Sequence, residues 1–385
     1  MELGIYIQVP FCQTKCTYCN FNTGVFAQGF YAPYVDAVCS ELSNHAPLYH
    51  AAGLPPVPSA TVDTVYIGGG TPSLLDPGAL ARLLNTLRTS FSCGLEEVTL
   101  EADPETVTGE KAAAWRAAGF NRISLGAQSF NDAELKATAR RHRRADIFGA
   151  AGILGGAGFE NVSFDLIAGL PHQTAASWED SLRQLAGLRS AHVSIYMMEI
   201  DEGSRLGREV LAGGHRYSAD ALPDEDATAE FYERARDLLA VEGYEHYEIS
   251  NWARPGFRSR HNLKYWRRQA YLGFGAGAHS FDGGERWANA HDPAAYVAAI
   301  GRGCLPAEQR QLLTPKQALE EELFLGLRQL EGIELERLEK QYNASLRARL
   351  APLREAGLVE FDGARLRLAA SRLTVSNEVF VELLS

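Results

Sequence analysis

Cysteine is scarce. Six in 385 residues is too few for a secreted scaffold stapled by disulfides. Positive charge is short as well: 37 Lys and Arg stand against 48 Asp and Glu, for a net charge of −11. Proteins whose main task is to grip nucleic acid carry a basic footprint, so no nucleic-acid partner is expected. No apolar run approaches the roughly 18 residues of a spanning helix. The chain is therefore read as not membrane-spanning, with peripheral membrane contact left open. A basic segment followed by an apolar one is missing at the start; Met1-Glu2 runs straight into strand-like Leu3–Val9. The expectation is a cytoplasmic protein in a reducing compartment. Repeats and low-complexity tracts are absent too. Hydrophobic content of 46% and charged content of 22% match ordinary globular chains.

What is present first is alternation. Strand-like runs at 3–9, 62–68, 96–101, 121–126, 161–167 and 192–198 are separated by helical patterns at 31–46, 78–90, 108–118, 145–157 and 176–189. Strand, helix, strand repeated in this way implies parallel pairing with right-handed crossovers. In barrels and open α/β sheets alike, the loops after the strand ends build the site. Periodicity does not choose between these two folds. Residues 1–200 are read as the α/β core and 201–292 as an extension with a helix at 224–242. Residues 293–385 are read as a smaller C-terminal module. There, helical patterns at 316–329, 333–342 and 345–356 lead into a hairpin around Asp362-Gly363, as in a winged helix. Its mixed charge suits a structural or lid role.

Three of the six cysteines crowd together as Cys12-Gln13-Thr14-Lys15-Cys16-Thr17-Tyr18-Cys19, directly after the first strand. Thiolates are soft ligands for zinc or for an iron–sulfur cluster. A structural zinc asks for four ligands, and no fourth Cys or His lies near. Three sulfurs leave one corner open, which a reactive cluster needs and a structural site avoids.

A C-x3-C-x2-C spacing after strand one of a β/α repeat resembles the radical S-adenosylmethionine superfamily. The resemblance implies a 4Fe–4S cluster on Cys12, Cys16 and Cys19. Its unligated iron would chelate the methionine amine and carboxylate of S-adenosylmethionine, whose reductive cleavage gives a 5′-deoxyadenosyl radical. Tyr18 matches the aromatic that commonly precedes the last cysteine, packing either on adenine or in the core. Further loops follow in order. Gly68-Gly69-Gly70-Thr71-Pro72 lacks the Gly-Lys-Ser/Thr of a phosphate loop and resembles the loop that contacts the methionine moiety; by itself it is also an ordinary turn. Asp165, in the apolar run Phe164–Pro171, needs partners, either cofactor groups or core hydrogen bonds. Arg140, in the basic run 140–144, fits a bidentate pair with the cofactor carboxylate or a solvated helix edge.

Tyr6–Cys12, Gly-Gly-Gly-Thr-Pro, Glu101-Ala102-Asp103-Pro104-Glu105, Gly126-Ala127-Gln128-Ser129-Phe130 and Asp165–Pro171 stand in this order along the chain. Together they resemble the oxygen-independent coproporphyrinogen III oxidase family over nearly the whole sequence. The resemblance implies a partial (β/α) barrel with a helical C-terminal domain. It also implies cofactor contacts from Tyr6, Gly69, Gly70, Thr71, Glu101, Gln128, Arg140 and Asp165.

Two branches of that family differ in reach. The oxidase pattern continues to a fourth cysteine, where this chain has Phe21, and it carries an N-terminal extension that is not expected here. Arg260-His261-Asn262-Leu263-Lys264-Tyr265-Trp266 matches the His-Asn-x-x-Tyr-Trp motif of the haem chaperone branch. His261 is a candidate axial ligand, with Tyr265 and Trp266 against the macrocycle. Arg258, Arg260, Lys264, Arg267 and Arg268 would attract its propionates. The plainer reading is a surface loop with a core Trp and snorkelling arginines. The expectation is a haem chaperone that delivers haem to respiratory haem proteins, served by an electron donor. The alternatives are coproporphyrinogen oxidation, or radical modification of tRNA or a peptide. Cys39, Cys93 and Cys304 receive no role; Cys39 sits in a helical pattern that suggests core packing.

Overall fold

The computed structural model describes residues 2–57 and 59–384, the side chain of Leu384 aside. Six parallel strands form its spine: β1 (Glu2–Val9), β2 (Thr61–Gly69), β3 (Cys93–Ala102), β4 (Arg122–Gln128), β5 (Asn161–Ala168) and β6 (His192–Met197). Crossover helices α1 (Tyr31–Ser43), α2 (Pro77–Ser90), α3 (Gly109–Ala118), α4 (Arg144–Gly156) and α5 (Ala175–Gly187) cover one face. These elements lie where periodicity places them, within a few residues at each end.

Alternation decides which residue faces which way. Leu3, Ile5, Ile7 and Val9 of β1 are fully buried against the helical layer, so Gly4, Tyr6 and Gln8 face the other side. Within α2, Leu80, Leu83, Leu84 and Leu87 make one buried stripe at helical spacing. Each such leucine contributes about 1.5–3 kcal/mol on burial. Asp76 starts the helix by accepting the amide of Gly78, with Pro77 at the first position, where its missing N–H costs nothing.

Between 245 and 312 the chain runs mainly through short strands. Strands β7 (Glu245–Glu248) and β8 (Asn251–Ala253) extend the sheet beyond β6. Then come helix α6 (Arg260–Trp266) and strands β9 (Tyr271–Phe274), β10 (His279–Phe281), β11 (Glu285–Asn289) and β12 (Ala307–Leu312). Strand β9 pairs parallel with β1, and β10 to β12 follow antiparallel. Among the described residues the sheet holds twelve strands, in the order β12-β11-β10-β9-β1-β2-β3-β4-β5-β6-β8-β7. Three- to five-residue strands carry too little pattern to be read from sequence.

The sheet is open, because β12 and β7 are its two edges, yet strongly curved. Residues at the start of α6 touch Thr64 on β2, Glu97 on β3 and Tyr247 on β7. One short helix reaches strands so far apart only if they wrap around it. The fold is a partial (β/α) barrel, with α6 lying inside at the end where the parallel strands begin.

The C-terminal module has helices α7 (Pro315–Leu327), α8 (Leu335–Tyr342) and α9 (Leu346–Glu355). Beside them is a small sheet of β13 (Ile333–Glu334), β15 (Arg365–Leu368) and β14 (Val359–Asp362), in that order. It is tied to the core by backbone bonds from Ile249 N to Arg328 O (3.0 Å) and Leu330 N to Tyr247 O (3.2 Å).

Candidate functional site

The cysteine loop leaves β1 at Pro10 and is closed by paired bonds, Cys12 N to Gly24 O and Gly24 N to Pro10 O, both 2.9 Å. Phe11 anchors it, fully buried and stacked 4.0 Å from the Tyr31 ring. The far end is held by Thr17, whose amide donates to Thr138 O and whose carbonyl accepts from Leu206 N. Arg205 donates to the Lys15 carbonyl. The loop is thus fixed from three sides.

Cys12, Cys16 and Cys19 are all free thiols, half-buried. Burial pushes the Cys12 thiol up to about 11, with Cys19 and Asp103 adding in the same direction. Three thiols on one short loop resist joint ionisation unless a cation is shared among them. Gly70 lies against the loop. A Cβ there would stand 2.6 Å from Phe11 O and 2.9 Å from Cys12 Sγ, so only glycine lets β2 come this close. Among the described residues, no three ligating side chains converge as a single ion demands. A cluster is wider than one ion and asks only that the sulfurs ring the loop. The thiols fit that group.

The strand ends build a polar rim next to the thiols. Glu101 at the end of β3 accepts from Gly69 N (2.8 Å) and from Tyr66 Oη (2.8 Å). Burial pushes its carboxyl up to about 7 against those two bonds, and Asp165 and Asp103 add to the rise. Gly69 takes a φ of +116°, and a Cβ would strike the Gln8 amide at 2.5 Å. Thr71 donates to Asp103 (3.1 Å). Arg140 pairs with Asp103, donates to Gly126 O (2.8 Å) and reaches Cys16 Sγ at 3.6 Å, while its Nε is buried with no partner. The run 140–144 is therefore more than a solvated helix edge: Arg140 belongs to the thiol loop. Gln128 has a φ of 63° and its Nε2 lies near Gly126. Tyr18 lies among Cys16, Cys19, Arg140 and Asp103, its hydroxyl pushed upward chiefly by burial. Asp165 accepts from Ser124 (2.9 Å) and Ser163 (3.1 Å), and burial above all raises its carboxyl. Tyr6 donates to Gln8 (2.6 Å) and stacks on Tyr66 at 6.0 Å.

The opposite end of the barrel holds the His-Asn-x-x-Tyr-Trp motif, as helix α6 rather than as a surface loop. Ser259 caps it by accepting from Asn262 N. Glu97 accepts the amides of Arg260 and His261, both at 2.9 Å, a carboxylate placed where a helix start favours one. His261 is 0% exposed. Its Nδ1 bonds Thr64 Oγ1 (2.9 Å) and its Nε2 bonds Tyr265 Oη (2.8 Å). Burial, helped by Lys264 and Arg122, lowers the imidazole to about 3. Both ring nitrogens of His261 are thus engaged within the protein.

The five positive charges around the motif are all paired. Arg258 pairs with Glu245, Arg260 with Glu96, Lys264 with Asp63, Arg267 with Glu331 and Arg268 with Glu321. None is a free cation. Tyr265 and Trp266 do border open space, a cavity of about 170 Å³ lined also by Arg268, Tyr271, Phe281 and Arg286. The Trp266 indole N–H is buried without a partner.

Rim and floor are one structure, since the Tyr66 ring lies 5.4 Å from His261 while its hydroxyl holds Glu101. Residues 6–185 match the model of the Radical SAM superfamily, and 313–370 match the HemN C-terminal domain. The chain is 34% identical to the Heme chaperone HemW of Bacillus subtilis, over 97% of each chain. It is 36% identical to that of Mycobacterium tuberculosis, over 99% of this chain and 94% of the relative. The chain belongs to the haem chaperone family. Family membership brings with it the radical SAM domain and, through that domain, a 4Fe–4S cluster and S-adenosylmethionine. Among solved structures, the coproporphyrinogen III oxidase HemN from Escherichia coli superimposes with a TM-score of 0.84. It covers 100% of this chain and 90% of its own length at 24% identity, a likeness of fold.

Tyr66, Gln8, Asp103, Thr64 and Glu97 escape the sequence reading. All but Asp103 lie inside strands, where a polar residue facing a barrel interior looks the same as one facing solvent. The clue was available: Tyr66 and Gln8 alternate with residues of uniformly apolar character.

Proposed function

We propose that this chain binds haem and passes it to respiratory haem proteins. Cys12, Cys16 and Cys19 hold a 4Fe–4S cluster, and Tyr6, Tyr18, Gly69, Gly70, Thr71, Glu101, Gln128, Arg140 and Asp165 surround S-adenosylmethionine. When bound, the cluster and its ligand supply one-electron reductive cleavage of a sulfonium, drawing on an electron donor. The chain's own residues arrange that chemistry. Gly69 and Gly70 bring backbone close to the thiols, and Glu101 fixes the Gly69 amide. Tyr265 and Trp266 offer aromatic surface to the cargo, and His261 positions Tyr265 from behind. The observation that carries the reading is the continuity from Glu101 through Tyr66 to His261 and Tyr265, which makes rim and floor neighbours. The lack of a fourth loop cysteine, with Phe21 in its place, supports cargo handling over coproporphyrinogen oxidation.

The test is anaerobic reconstitution with iron and sulfide, then titration of one preparation with haem and with coproporphyrinogen III. Cluster absorbance, saturable haem binding and no 5′-deoxyadenosine from coproporphyrinogen are expected. Turnover of coproporphyrinogen without haem binding sinks the proposal.

A further inference from the structure

The cavity beside α6 is flanked by the C-terminal module. Four aromatics, Tyr265, Trp266, Tyr271 and Phe281, form its walls, and Leu325 of α7 lies over it. Two guanidinium groups stand at its edge, 4.7 Å (Arg268) and 4.2 Å (Arg286) from the Phe281 ring centroid. Both are held by one carboxylate from α7. Glu321 accepts from Arg286 Nε (2.7 Å) and Nη2 (2.9 Å) in a fork, and from Arg268 Nε (3.0 Å). Burial alone would raise the Glu321 carboxyl, but Arg286 and Arg268 together hold it below its usual range.

Three features bear on its use as a ligand site. Its volume of about 170 Å³ is below the roughly 300–1,000 Å³ of small-molecule pockets, so a ligand as large as haem extends beyond it and bears on α7. Trp266 presents an indole N–H with no protein partner, although buried indoles normally find one. Arg268 has a φ of 51° as the left-handed residue that ends α6, with Arg268 N bonded to Tyr265 O and Gln269 N to Lys264 O, so the helix end itself sets this guanidinium at the cavity edge.

We propose that Arg268 and Arg286 receive the two propionates of haem, and that Glu321 is a latch that occupies both until the cargo displaces it. The proposal rests on the haem reading above and adds to it the anchoring groups and a gate. A planar aromatic body with two carboxylates on one edge matches the walls and the paired cations. One Glu321 carboxylate bridging both arginines leaves neither with a carboxylate of its own. Two propionates give each arginine its own partner, and α7 is then released. Release and uptake of haem become an exchange of carboxylates on the same two cations.

The experiment is absorbance titration of the full chain with haem and with its dimethyl ester, in wild type and in Glu321→Gln and Arg286→Gln. Removing the competing charge should tighten haem binding by about 5- to 150-fold, the usual span of coupling between two events at a protein. Arg286→Gln should weaken it, and the ester, which brings no carboxylate to either arginine, should bind wild type less tightly than haem does. Amide exchange across 315–327 in the wild type should accelerate when haem is added, a reading that survives if the variant folds poorly. Wild-type haem binding with affinity unchanged or weaker in Glu321→Gln overturns the latch and leaves the haem reading standing. Unaltered exchange across α7 overturns it equally. No haem binding by wild type sinks both.

Discussion

At the scale of single residues, His261 shows how a motif histidine acts without presenting a free nitrogen. Its ring bridges Thr64 and Tyr265, and being neutral it donates through one nitrogen and accepts through the other. Replacing it by Gln at pH 7.5 leaves one buried hydroxyl poorly matched, a loss of about 1–3 kcal/mol of stability. That loss should shrink in acid. Below pH 6.5 the unfolded imidazole takes up a proton that the folded ring refuses until about pH 3. The stability from His261 is therefore whole above pH 6.5 and declines as pH falls towards 3, by up to about 1.4 kcal/mol per unit. Urea unfolding at pH 7.5 and 5.5 checks this, and a gap between wild type and variant that is the same at both values refutes the assignment. A second residue-scale outcome concerns Gly70. Gly70→Ala sets a methyl against the Phe11 carbonyl and Cys12 Sγ, and backbone cannot yield as a flexible side chain does. Iron and sulfide content after reconstitution should drop to a small fraction of wild type, while the melting temperature falls by only a few degrees. Full loading of the variant would show that β2 does not constrain the thiol loop.

At the scale of elements, the short helix α6 decides how the barrel is filled. Glu97 fixes its first turn through two backbone amides and the Ser259 hydroxyl. Glu97→Gln keeps the shape but leaves at most one oxygen to accept what two now accept, and loses the charge favoured at a helix start. A destabilisation of about 1–3 kcal/mol is expected, together with weaker haem binding and an unchanged cluster spectrum. A shifted cluster spectrum would mean that floor and thiol loop are not separately built. The crossover strands and helices were legible in the sequence because each is long enough to show its period. Leu80, Leu83, Leu84 and Leu87 repeat at helical spacing, and Leu3, Ile5, Ile7 and Val9 alternate. The thiol loop was legible because three cysteines in eight residues have few other uses. Strands β8 to β10 were not, since three or four residues cannot distinguish alternation from chance. Nor were the ion pairs of Arg258, Arg260, Lys264, Arg267 and Arg268, whose partners Glu245, Glu96, Asp63, Glu331 and Glu321 come from five different stretches of chain. A row of positive letters says nothing about what folds against it. The same applies to His261, whose burial depends on β1 and β2 lying against it.

At the scale of the whole molecule, the sites proposed for S-adenosylmethionine and haem lie towards opposite ends of one barrel, with Tyr66 between them. Tyr66 is the joint: its hydroxyl donates to Glu101 on the rim, its ring lies against His261 on the floor, and Tyr6 stacks on its other side. A close-packed interior transmits small shifts rather than absorbing them. A ligand that reorients Glu101 therefore bears on Tyr66, and through it on His261 and Tyr265. Binding of S-adenosylmethionine to the reconstituted protein should then change the haem dissociation constant by about 5-fold or more, and haem should change S-adenosylmethionine affinity by the same factor, since coupling between two binding events is reciprocal. Tyr66→Phe keeps the ring and its packing while cutting the bond to Glu101. Each ligand should still bind the variant alone, and the coupling factor should fall towards one. The measurement is a pair of titrations, haem with and without saturating S-adenosylmethionine, in wild type and Tyr66→Phe. If wild-type haem affinity is indifferent to S-adenosylmethionine, the two ends act independently and the joint is only packing. If coupling is present but survives in Tyr66→Phe, it travels by another route, for which the Tyr6 hydroxyl bonded to Gln8 is the next connection to cut.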